Sequence, residues 1–256
     1  MLEISALSKT YYTSQKDNGV QALCDINLHL NEGSSLAIVG PSGCGKSSLL
    51  RLIAGLAEPT EGSISIFEEL VKKPRKKTAF MLQDFGLLPW KNVEQNVGLA
   101  LQLQGVSAGK RKEIIDKVLS SVGLLGFKKL YPSNLSGGMK QRLSLARALT
   151  TDSDLVLMDE PLSALDAFLR EDMQELLKET WLEHKYAQII VTHSIDEAVF
   201  LGGRIAVMSS LPGRIVEIFD NPGVLNPQWR NSNEYYEMIQ KVRESLHLAK
   251  VGGTHA

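Results

Sequence analysis

The octapeptide Gly40–Ser47 constrains the fold of this chain more than any other stretch. Its letters, GPSGCGKS, fit the pattern G-x-x-x-x-G-K-S and follow the apolar run Leu36–Val39. This pattern requires a buried strand before the loop and a helix after it, so that backbone N–H groups can bind phosphate. We therefore expect a helix over Ser47–Gly55, with Lys46 neutralising phosphate oxygens and Ser47 binding Mg²⁺. The alternative is a chance glycine turn.

Three further apolar runs predict buried strands, at Thr78–Leu82, Leu155–Met158 and Ile189–Thr192. Continuous hydrophobicity, rather than alternation, is typical of parallel strands that helices cover on both faces. Residues 1–39 instead alternate short apolar runs with turn signals, interrupted by a polar insertion at Thr13–Gly19. The pattern predicts an α/β core with an N-terminal antiparallel β subdomain.

The stretch from Gln83 to Thr151 carries helical periodicity and no clear strand. We expect a helical subdomain at about residues 84–151, with helices around Val93–Gln104, Lys110–Val122 and Lys140–Leu149. The main domain then spans residues 1–227. Residues 228–256 form a C-terminal helical tail, with an amphipathic helix at about Glu234–Leu248 and a small polar end.

Composition narrows the function classes. The chain has 28 basic and 29 acidic residues among 256, so bulk charge does not hold it on nucleic acid. The basic run Lys72–Lys77 contains no aromatic residue and is typical of a solvated loop. Cys24 and Cys44 suggest neither a zinc site nor a disulfide framework, which favours a reducing cytoplasm. No apolar run approaches the roughly 20 residues that span a bilayer, so we expect a protein that is neither secreted nor membrane-spanning.

Polar side chains follow three of the predicted strands. Asp159 and Glu160 come directly after Leu155–Met158, while Gln83 and His193 follow two other strands. Because parallel strands present their carboxyl ends at one edge, we expect these side chains to meet near the phosphate loop. There one carboxylate can hold Mg²⁺ and the next can orient and deprotonate an attacking water. Taken separately, an acidic pair is also common at the polar end of a strand, and a lone histidine after a strand is usually structural.

The stretch Leu135–Arg142, LSGGMKQR, places Ser136, Gly137 and Gly138 at the start of a helix. Free backbone N–H groups at the positive end of a helix form an anion site. No buried strand leads into this helix, and no phosphate-loop lysine follows the glycines. The anion must therefore be supplied from elsewhere, unless Ser136 is only a helix cap.

In their order along the chain, these motifs resemble those of the ATP-binding subunits of ABC transporters. The Walker A loop of that family resembles nine residues here: Gly40, Pro41, Ser42, Gly43, Cys44, Gly45, Lys46, Ser47 and Ser48. The segment Leu155–Glu160 is similar to Walker B, and Ser163–Asp166 is similar to the D-loop, with Asp166 as its acid. Tyr11 resembles the aromatic residue that stacks on adenine, and Tyr12 is the alternative.

The resemblance implies three further roles. Gln83 corresponds to the Q-loop glutamine and His193 to the switch histidine. Together with Glu160 as catalytic base they would form the catalytic group, and Mg²⁺ would be held by Ser47, Gln83 and Asp159. The signature motif is similar to Leu135–Gln141.

In that family two subunits pair head to tail, and each ATP lies between one Walker A loop and the other subunit's signature. The resemblance therefore implies that four residues act on a partner's ATP: Ser136, Gly137, Gly138 and Gln141. It also implies ATP and Mg²⁺ as cofactors, integral-membrane permease subunits, a second ATP-binding subunit and, indirectly, an extracytoplasmic solute-binding protein. We expect no nucleic-acid partner and a peripheral position on the cytoplasmic face of the cell membrane.

A finer resemblance points to importers of nitrate, sulfonates and taurine. It rests on four segments: Gln83–Trp90, Tyr131-Pro132, Ala164–Arg170 and Leu211–Ile215. The chain departs from the subgroup at Leu162-Ser163, where Phe-Gly is usual, and at Ser194, where aspartate is usual; Ser48 stands where threonine is common. An importer of another small solute, such as a thiamine-precursor pyrimidine, is therefore an alternative.

Two other classes compete with the transporter interpretation. A soluble ABC ATPase acting on nucleic acid or ribosomes would usually carry a long coiled coil or two ATPase units, whereas one complete motif set lies in 256 continuous residues here. A nucleotide-gated binding module without turnover does not explain why Glu160 and His193 are both present.

Overall fold

The computed structural model describes residues 1–12 and 19–251, which form two β-sheets and seven α-helices. The first sheet is antiparallel, with strand order β2-β1-β4-β5. Its strands are β1 (Leu2–Tyr11), β2 (Val20–Leu30), β4 (Glu61–Ile66) and β5 (Glu69–Leu70). The predicted N-terminal antiparallel subdomain is confirmed, and residues 61–70 extend it.

The second sheet has six strands in the order β10-β9-β3-β8-β7-β6. They are β3 (Ser35–Val39), β6 (Thr78–Met81), β7 (Leu155–Asp159), β8 (Ala187–Thr192), β9 (Arg204–Met208) and β10 (Ile215–Asp220). Every neighbouring pair is parallel except β9 and β10. The four predicted strands and their parallel arrangement are confirmed, while β9 and β10 lie outside the prediction.

Seven helices surround these sheets. They are α1 (Lys46–Ile53), α2 (Val93–Leu103), α3 (Ala108–Ser121), α4 (Gly137–Leu149), α5 (Ala167–His184), α6 (Ile195–Leu201) and α7 (Asn233–Val251). The helices α2, α3 and α4 lie between β6 and β7 in the chain, close to the predicted bounds. The sequence patterns assigned no helix to α5 or α6.

Buried apolar side chains form three clusters. One lies between the two sheets around α1, one lies between the six-stranded sheet and α5, α6 and α7, and one joins α2, α3 and α4. Along β3, Leu36 and Ile38 enter the first cluster and Ala37 and Val39 enter the second. This strand is thus buried on both faces, which is the physical reason for its continuous hydrophobicity.

Three sequence expectations concern the surface. None of the helices in residues 1–12 and 19–251 combines enough length with enough apolar character to cross a bilayer. Within the basic run, Arg75 donates two hydrogen bonds to the Asp154 carboxylate, at 2.9 and 3.0 Å. These bonds link the segment before β6 to the segment before β7. Residues 13–18 of the polar insertion and residues 252–256 of the polar end lie outside the described part.

Candidate functional site

The ends of four parallel strands align at one edge of the six-stranded sheet. Met81 of β6 pairs with Met158 of β7, and Val39 of β3 pairs with Thr192 of β8. In parallel sheets this edge is where ligands bind. The strand ends bring the phosphate loop, Asp159 with Glu160, and His193 to the same side of the molecule, with Gln83 two residues beyond β6.

A glycine conformation and a lysine side chain determine the shape of the phosphate loop. Gly45 has a φ of 103°, and a Cβ at this position would lie 2.7 Å from the Ala22 carbonyl oxygen. Only glycine therefore fits there. The buried Lys46 ammonium donates hydrogen bonds to the Gly40 and Pro41 carbonyls, both at 2.8 Å. No side chain caps α1, so its first N–H groups point to where an anion would lie.

The side chain of Cys44 does not belong to the anion site. It is 1% exposed and packs in the cluster between the two sheets, where burial raises the pKa of the thiol. The family resemblance assigned Cys44 to the nucleotide-binding loop, and the structure places its thiol in the hydrophobic core instead. Only the backbone of Cys44 belongs to the loop, where its N–H donates to the Pro41 carbonyl at 3.3 Å.

Gly213 supports the phosphate loop from behind, which the sequence patterns did not indicate. Its N–H donates to the Ala22 carbonyl and its carbonyl accepts from the Cys24 N–H, both at 3.0 Å. A Cβ at residue 213 would lie only 2.1 Å from the Cys44 carbonyl oxygen. The segment Leu211–Ile215 was noticed only as a family resemblance, because a contact 170 residues away leaves no local periodicity.

The two candidate adenine-stacking residues differ in position. The Tyr11 hydroxyl donates to the Ser48 hydroxyl at 3.3 Å, which places this ring beside the helix that follows the phosphate loop. Tyr11 is 40% exposed and Tyr12 is 71% exposed. An aromatic ring beside the loop with one open face fits a stacked base, which favours Tyr11.

Asp159 provides an unpaired, buried oxygen at the end of β7. The residue is 3% exposed, and its Oδ1 atom accepts no hydrogen bond from the described residues. Burial raises the pKa of this carboxyl, and the nearby Ser47 hydroxyl offsets part of the rise. A buried carboxylate oxygen without a donor fits a cation, and Mg²⁺ prefers oxygen ligands of this kind.

The remaining cation ligands must be few. Within the described residues, no group of three or more His, Cys, Asp or Glu side chains could hold a metal ion. Mg²⁺ is commonly held by one or two protein oxygens together with substrate phosphates. The pair of Ser47 and Asp159 fits this, while the exposed Gln83 side chain lies at the same edge and makes no hydrogen bond to a described residue.

Glu160 and His193 form a pair at the centre of the edge. The Glu160 Oε1 atom lies 3.3 Å from His193 Nδ1. The backbone of Glu160 adopts a positive φ of 51°, and its N–H donates to the Val191 carbonyl at 2.8 Å. A left-handed backbone in a non-glycine residue costs free energy, and Glu160 is one of seven non-glycine residues with positive φ in the described part of the chain. The Glu160 side chain is 21% exposed and lies beside the histidine.

Two residues of helix α4 that belong to no sequence motif hydrogen-bond to the segment that follows Gln83. The Ser144 hydroxyl donates to the Phe85 carbonyl at 2.9 Å, and Arg147 donates to the Gly86 carbonyl. Burial lowers the pKa of the Arg147 guanidinium. The segment after β6 is therefore hydrogen-bonded to α4 at two consecutive residues.

The start of α4 is an exposed helix N-terminus. Ser136 is the N-cap, and its hydroxyl accepts from the Met139 N–H at 3.3 Å. A Cβ at Gly137 would have no neighbour within 4 Å, whereas at Gly138 it would lie 3.3 Å from Leu165. The surface around Ser136 and Gly137 is open, as a site for an external anion requires.

Gln141 is used differently from the sequence expectation. Its side chain is buried, and its amide nitrogen donates to the Glu160 carbonyl at 2.9 Å while its amide oxygen accepts from the Ala164 N–H at 2.8 Å. Both ends of the Gln141 amide are therefore bonded within the chain, whereas the family resemblance implied that this side chain acts on a partner's nucleotide. Asp166, the D-loop acid, caps α5 by accepting from the Leu169 N–H at 3.1 Å.

The motifs and the fold both have known counterparts. A family model described as "ABC transporter" matches residues 23–163. The aliphatic sulfonates import ATP-binding protein of Bacillus cereus is 43% identical over 96% of this chain and 95% of its own length. The taurine import ATP-binding protein of Escherichia coli K12 is 45% identical over 85% of this chain and 83% of its own length.

A solved structure shares the same architecture. It is a dimeric ATP-binding cassette in a post-hydrolysis state, bound to ADP and Pi. It is 32% identical to this chain, superposes with a TM-score of 0.79, and the match covers 86% of this chain and 98% of the cassette.

Proposed function

This chain belongs to the ABC transporter family, as an ATP-hydrolysing importer subunit, and we propose how its own residues carry out that hydrolysis. The observation that carries the proposal is the shared sheet edge, where the buried Lys46, the unpaired Asp159 oxygen and the Glu160–His193 pair meet. The edge has a phosphate-binding half and a water-activating half, as ATP hydrolysis requires.

Binding begins at the phosphate loop. The Lys46 ammonium exchanges its two carbonyl acceptors for β- and γ-phosphate oxygens, which are stronger acceptors because they are charged. The N–H groups at the start of α1 contribute further donors, and Tyr11 packs on the base. Mg²⁺, held by Ser47 and Asp159 with Gln83 completing the site, would neutralise charge on the phosphates.

Hydrolysis uses the Glu160–His193 pair. Glu160 accepts a proton from a water molecule while the water oxygen bonds to the γ-phosphorus and the bond to the ADP oxygen breaks. His193 Nδ1, 3.3 Å from Glu160 Oε1, holds the carboxylate in position and lies close to the departing phosphate. The proton then leaves with inorganic phosphate.

The proposed arrangement needs a further donor on the far side of the γ-phosphate. The open helix start at Ser136 and Gly137 supplies such a donor when a second subunit docks head to tail. Pairing closes two copies over ATP, and hydrolysis lets them separate. This cycle drives attached integral-membrane permease subunits, and it positions the chain at the cytoplasmic face of the membrane.

The transported solute is a small oxyanion of the nitrate, sulfonate or taurine type. This proposal rests on the names of the sulfonate and taurine relatives, and delivery by an extracytoplasmic binding protein goes with it. The test is whether a strain that lacks this chain grows with alkanesulfonate, taurine or nitrate as its sole sulfur or nitrogen source. If the strain still grew on all three compounds but no longer took up a thiamine precursor, the result would instead favour a pyrimidine importer.

The decisive variant for hydrolysis is Glu160→Gln. Removing the base leaves the loop and its lysine intact, so we expect ATP binding within about twofold of wild type and turnover reduced by at least about a hundredfold. Glu171→Gln, an exposed glutamate on α5, is the matched control and should hydrolyse ATP normally. Near-normal turnover of Glu160→Gln would remove Glu160 from the role of base.

The same tagged variant also tests the transporter assignment. Purified from gently solubilised membranes with ATP and Mg²⁺, it should bring a polytopic membrane protein with it. Recovery of ribosomes or DNA would leave the ATPase chemistry in place and exclude the transport role.

A further inference from the structure

We propose that the C-terminal tail, residues 228–251, holds the switch loop in place, and that Tyr235 is the positioning residue through which it acts on His193. The proposal rests on the proposed role of His193 in hydrolysis. None of the motifs identified in the sequence lies in this tail, and it follows the family-model match at residues 23–163.

The switch loop takes its position from helix α6. This helix begins directly after His193, with Ser194 as its N-cap accepting from the Glu197 N–H at 3.3 Å. The Ser194 N–H in turn donates to the Thr192 hydroxyl at 3.0 Å. Because both neighbours of His193 are bonded to the start of α6, a shift of α6 moves the imidazole relative to Glu160.

The tail is bonded to α6 at two points. The buried Tyr235 hydroxyl donates to Asp196 Oδ1 at 2.6 Å, three residues after His193, and the Asp196 backbone carbonyl oxygen is a second, more distant acceptor at 3.2 Å. The Trp229 indole N–H donates to the Val199 carbonyl at 3.1 Å, one turn further along. Burial and the bond to Asp196 both raise the pKa of Tyr235, so the hydroxyl keeps its proton and donates throughout the physiological range.

The tail is in turn anchored on α5, which crosses the core. Arg230 donates to the Gln174 side-chain oxygen and lies 3.9 Å from Glu175, both on α5. The same guanidinium stacks over the Phe200 ring of α6, at 3.8 Å from its centroid. Arg230 is therefore wedged between the two helices, and α5 is the fixed base from which the tail holds α6.

Aromatic packing makes this anchor rigid. The Trp229 and Tyr235 rings meet edge to face with centroids 5.6 Å apart. Trp229 lies directly on the backbone of Gly223, where a Cβ would come within 2.3 Å of the ring. Two large rings locked in this way leave the Tyr235 hydroxyl little freedom, so its bond to Asp196 fixes the first turn of α6.

The test is Tyr235→Phe, which removes one oxygen and keeps the ring, measured in the full-length chain. We expect kcat for ATP hydrolysis to fall about three- to tenfold, the effect of losing one hydrogen bond to a carboxylate, with KM for ATP within twofold of wild type. Amide hydrogen exchange in residues 193–199 should become faster by a similar factor. Tyr236→Phe is the matched control: this neighbouring tyrosine is 60% exposed, and the variant should match wild type in both measurements.

A second pair of variants separates positioning from loss of stability. Asp196→Asn keeps an acceptor for the Tyr235 hydroxyl and should retain kcat within twofold of wild type. Asp196→Ala should reproduce the effect of Tyr235→Phe, and the double variant Tyr235→Phe/Asp196→Ala should be no slower than either single variant. Additive losses in the double variant would overturn the proposal.

Unchanged exchange in residues 193–199, or equal losses in Tyr235→Phe and Tyr236→Phe, would also overturn it. The exchange measurement does not depend on turnover. Near-normal hydrolysis by Glu160→Gln would refute the proposed base without altering the outcome at Tyr235, so the two failures are distinguishable.

Discussion

Near the site, Glu197 is a buried carboxyl with a raised pKa, and it has no proposed role in hydrolysis. It is 3% exposed, and its Oε2 atom accepts from the Thr192 hydroxyl at 2.9 Å, while Oε1 accepts no hydrogen bond from the described residues. Burial is the main cause that raises its pKa to about 7. The charges of Glu160 and Asp196 add to the rise, and that of Arg170 opposes it.

This shift predicts how the free energy of unfolding depends on pH. The folded chain binds the Glu197 proton more tightly than the unfolded chain, so Glu197 costs no stability at about pH 4 and an increasing amount as pH rises to about 7. Glu197→Gln stays neutral and keeps an oxygen for Thr192. We expect it to equal wild type in stability near pH 4.5 and to exceed it by up to about 3 kcal/mol at pH 8.

Urea unfolding of both proteins across pH 4.5–8 measures this difference. Glu179→Gln, an exposed glutamate on α5, is the control and should follow wild type at every pH. If the Glu197→Gln curve ran parallel to that of wild type across the whole range, the carboxyl would already be charged in the folded chain at low pH.

At the scale of elements, helix α4 connects three parts of the site. It begins at the exposed N-cap Ser136, and Gln141 one turn later bonds to the segment after β7. Two turns along, Ser144 and Arg147 hold the segment after β6. A partner that displaced α4 would therefore also displace the segments after β6 and β7, which carry proposed catalytic side chains.

The internal use of Gln141 predicts a loss of stability in the chain alone. Gln141→Leu leaves the Ala164 N–H without its acceptor and removes one of three donors to the Glu160 carbonyl. Because the side chain is buried, we expect the free energy of unfolding without nucleotide to fall by about 2–3 kcal/mol. Chemical denaturation measures it.

Gln102→Leu, at an exposed position of α2, is the control and should change stability by less than about 0.5 kcal/mol. A residue that served only a partner's phosphate would behave like this control. Equal stabilities of the Gln141 and Gln102 variants would therefore support the assignment of Gln141 to the partner's nucleotide.

Elements differed in how well the sequence predicted them, for physical reasons. The strands β3, β7 and β8 are buried on both faces, and β6 is buried on one face and half-buried on the other, so all four appear as continuous apolar runs. Helix α5 was missed because its buried face includes the polar Gln174 and Lys178 beside Met173, Leu177 and Trp181, which weakens the apolar periodicity. The edge strand β10 is half exposed with no strict alternation, so it carried no strand signal either.

The same distinction applies to the site. The phosphate loop and the side chains after β7 and β8 were found because each role is set by residues adjacent in sequence. Gly213, Ser144 and Arg147 contact backbone carbonyls 59 to 191 residues away, and no local pattern records such contacts. The internal hydrogen bonds of Gln141 were not predicted for the same reason, since its partners lie beyond β7.

At the scale of the whole molecule, the phosphate loop and the open start of α4 belong to different parts of the fold. The loop lies after β3, while the start of α4 is open to solvent, with no neighbour within 4 Å of a Cβ placed at Gly137. Two copies arranged head to tail would bring each open end to the other copy's phosphate loop. The dimeric cassette with 32% identity is consistent with such pairing.

Gly137→Ala separates the role of this helix start in the chain from its role toward a partner. Within one chain the added methyl meets nothing and replaces glycine by a better helix former, so we expect stability unchanged or raised by up to about 1 kcal/mol. Toward a partner the methyl occupies the surface that a γ-phosphate would contact, and overpacking there costs about 1–3 kcal/mol. In a Glu160→Gln background, the ATP-held dimer should therefore dissociate at least about tenfold more readily.

Light scattering against protein concentration, with ATP and Mg²⁺, measures that dimer. The matched control is Gly109→Ala, because Gly109 also lies in the first turn of a helix, α3, and its Cβ would likewise meet nothing within 4 Å. The control should dimerise like its Glu160→Gln parent. If Gly137→Ala also dimerised like the parent while gaining stability, Ser136 and Gly137 would be no more than a helix cap, and the γ-phosphate would have to find its second set of donors elsewhere.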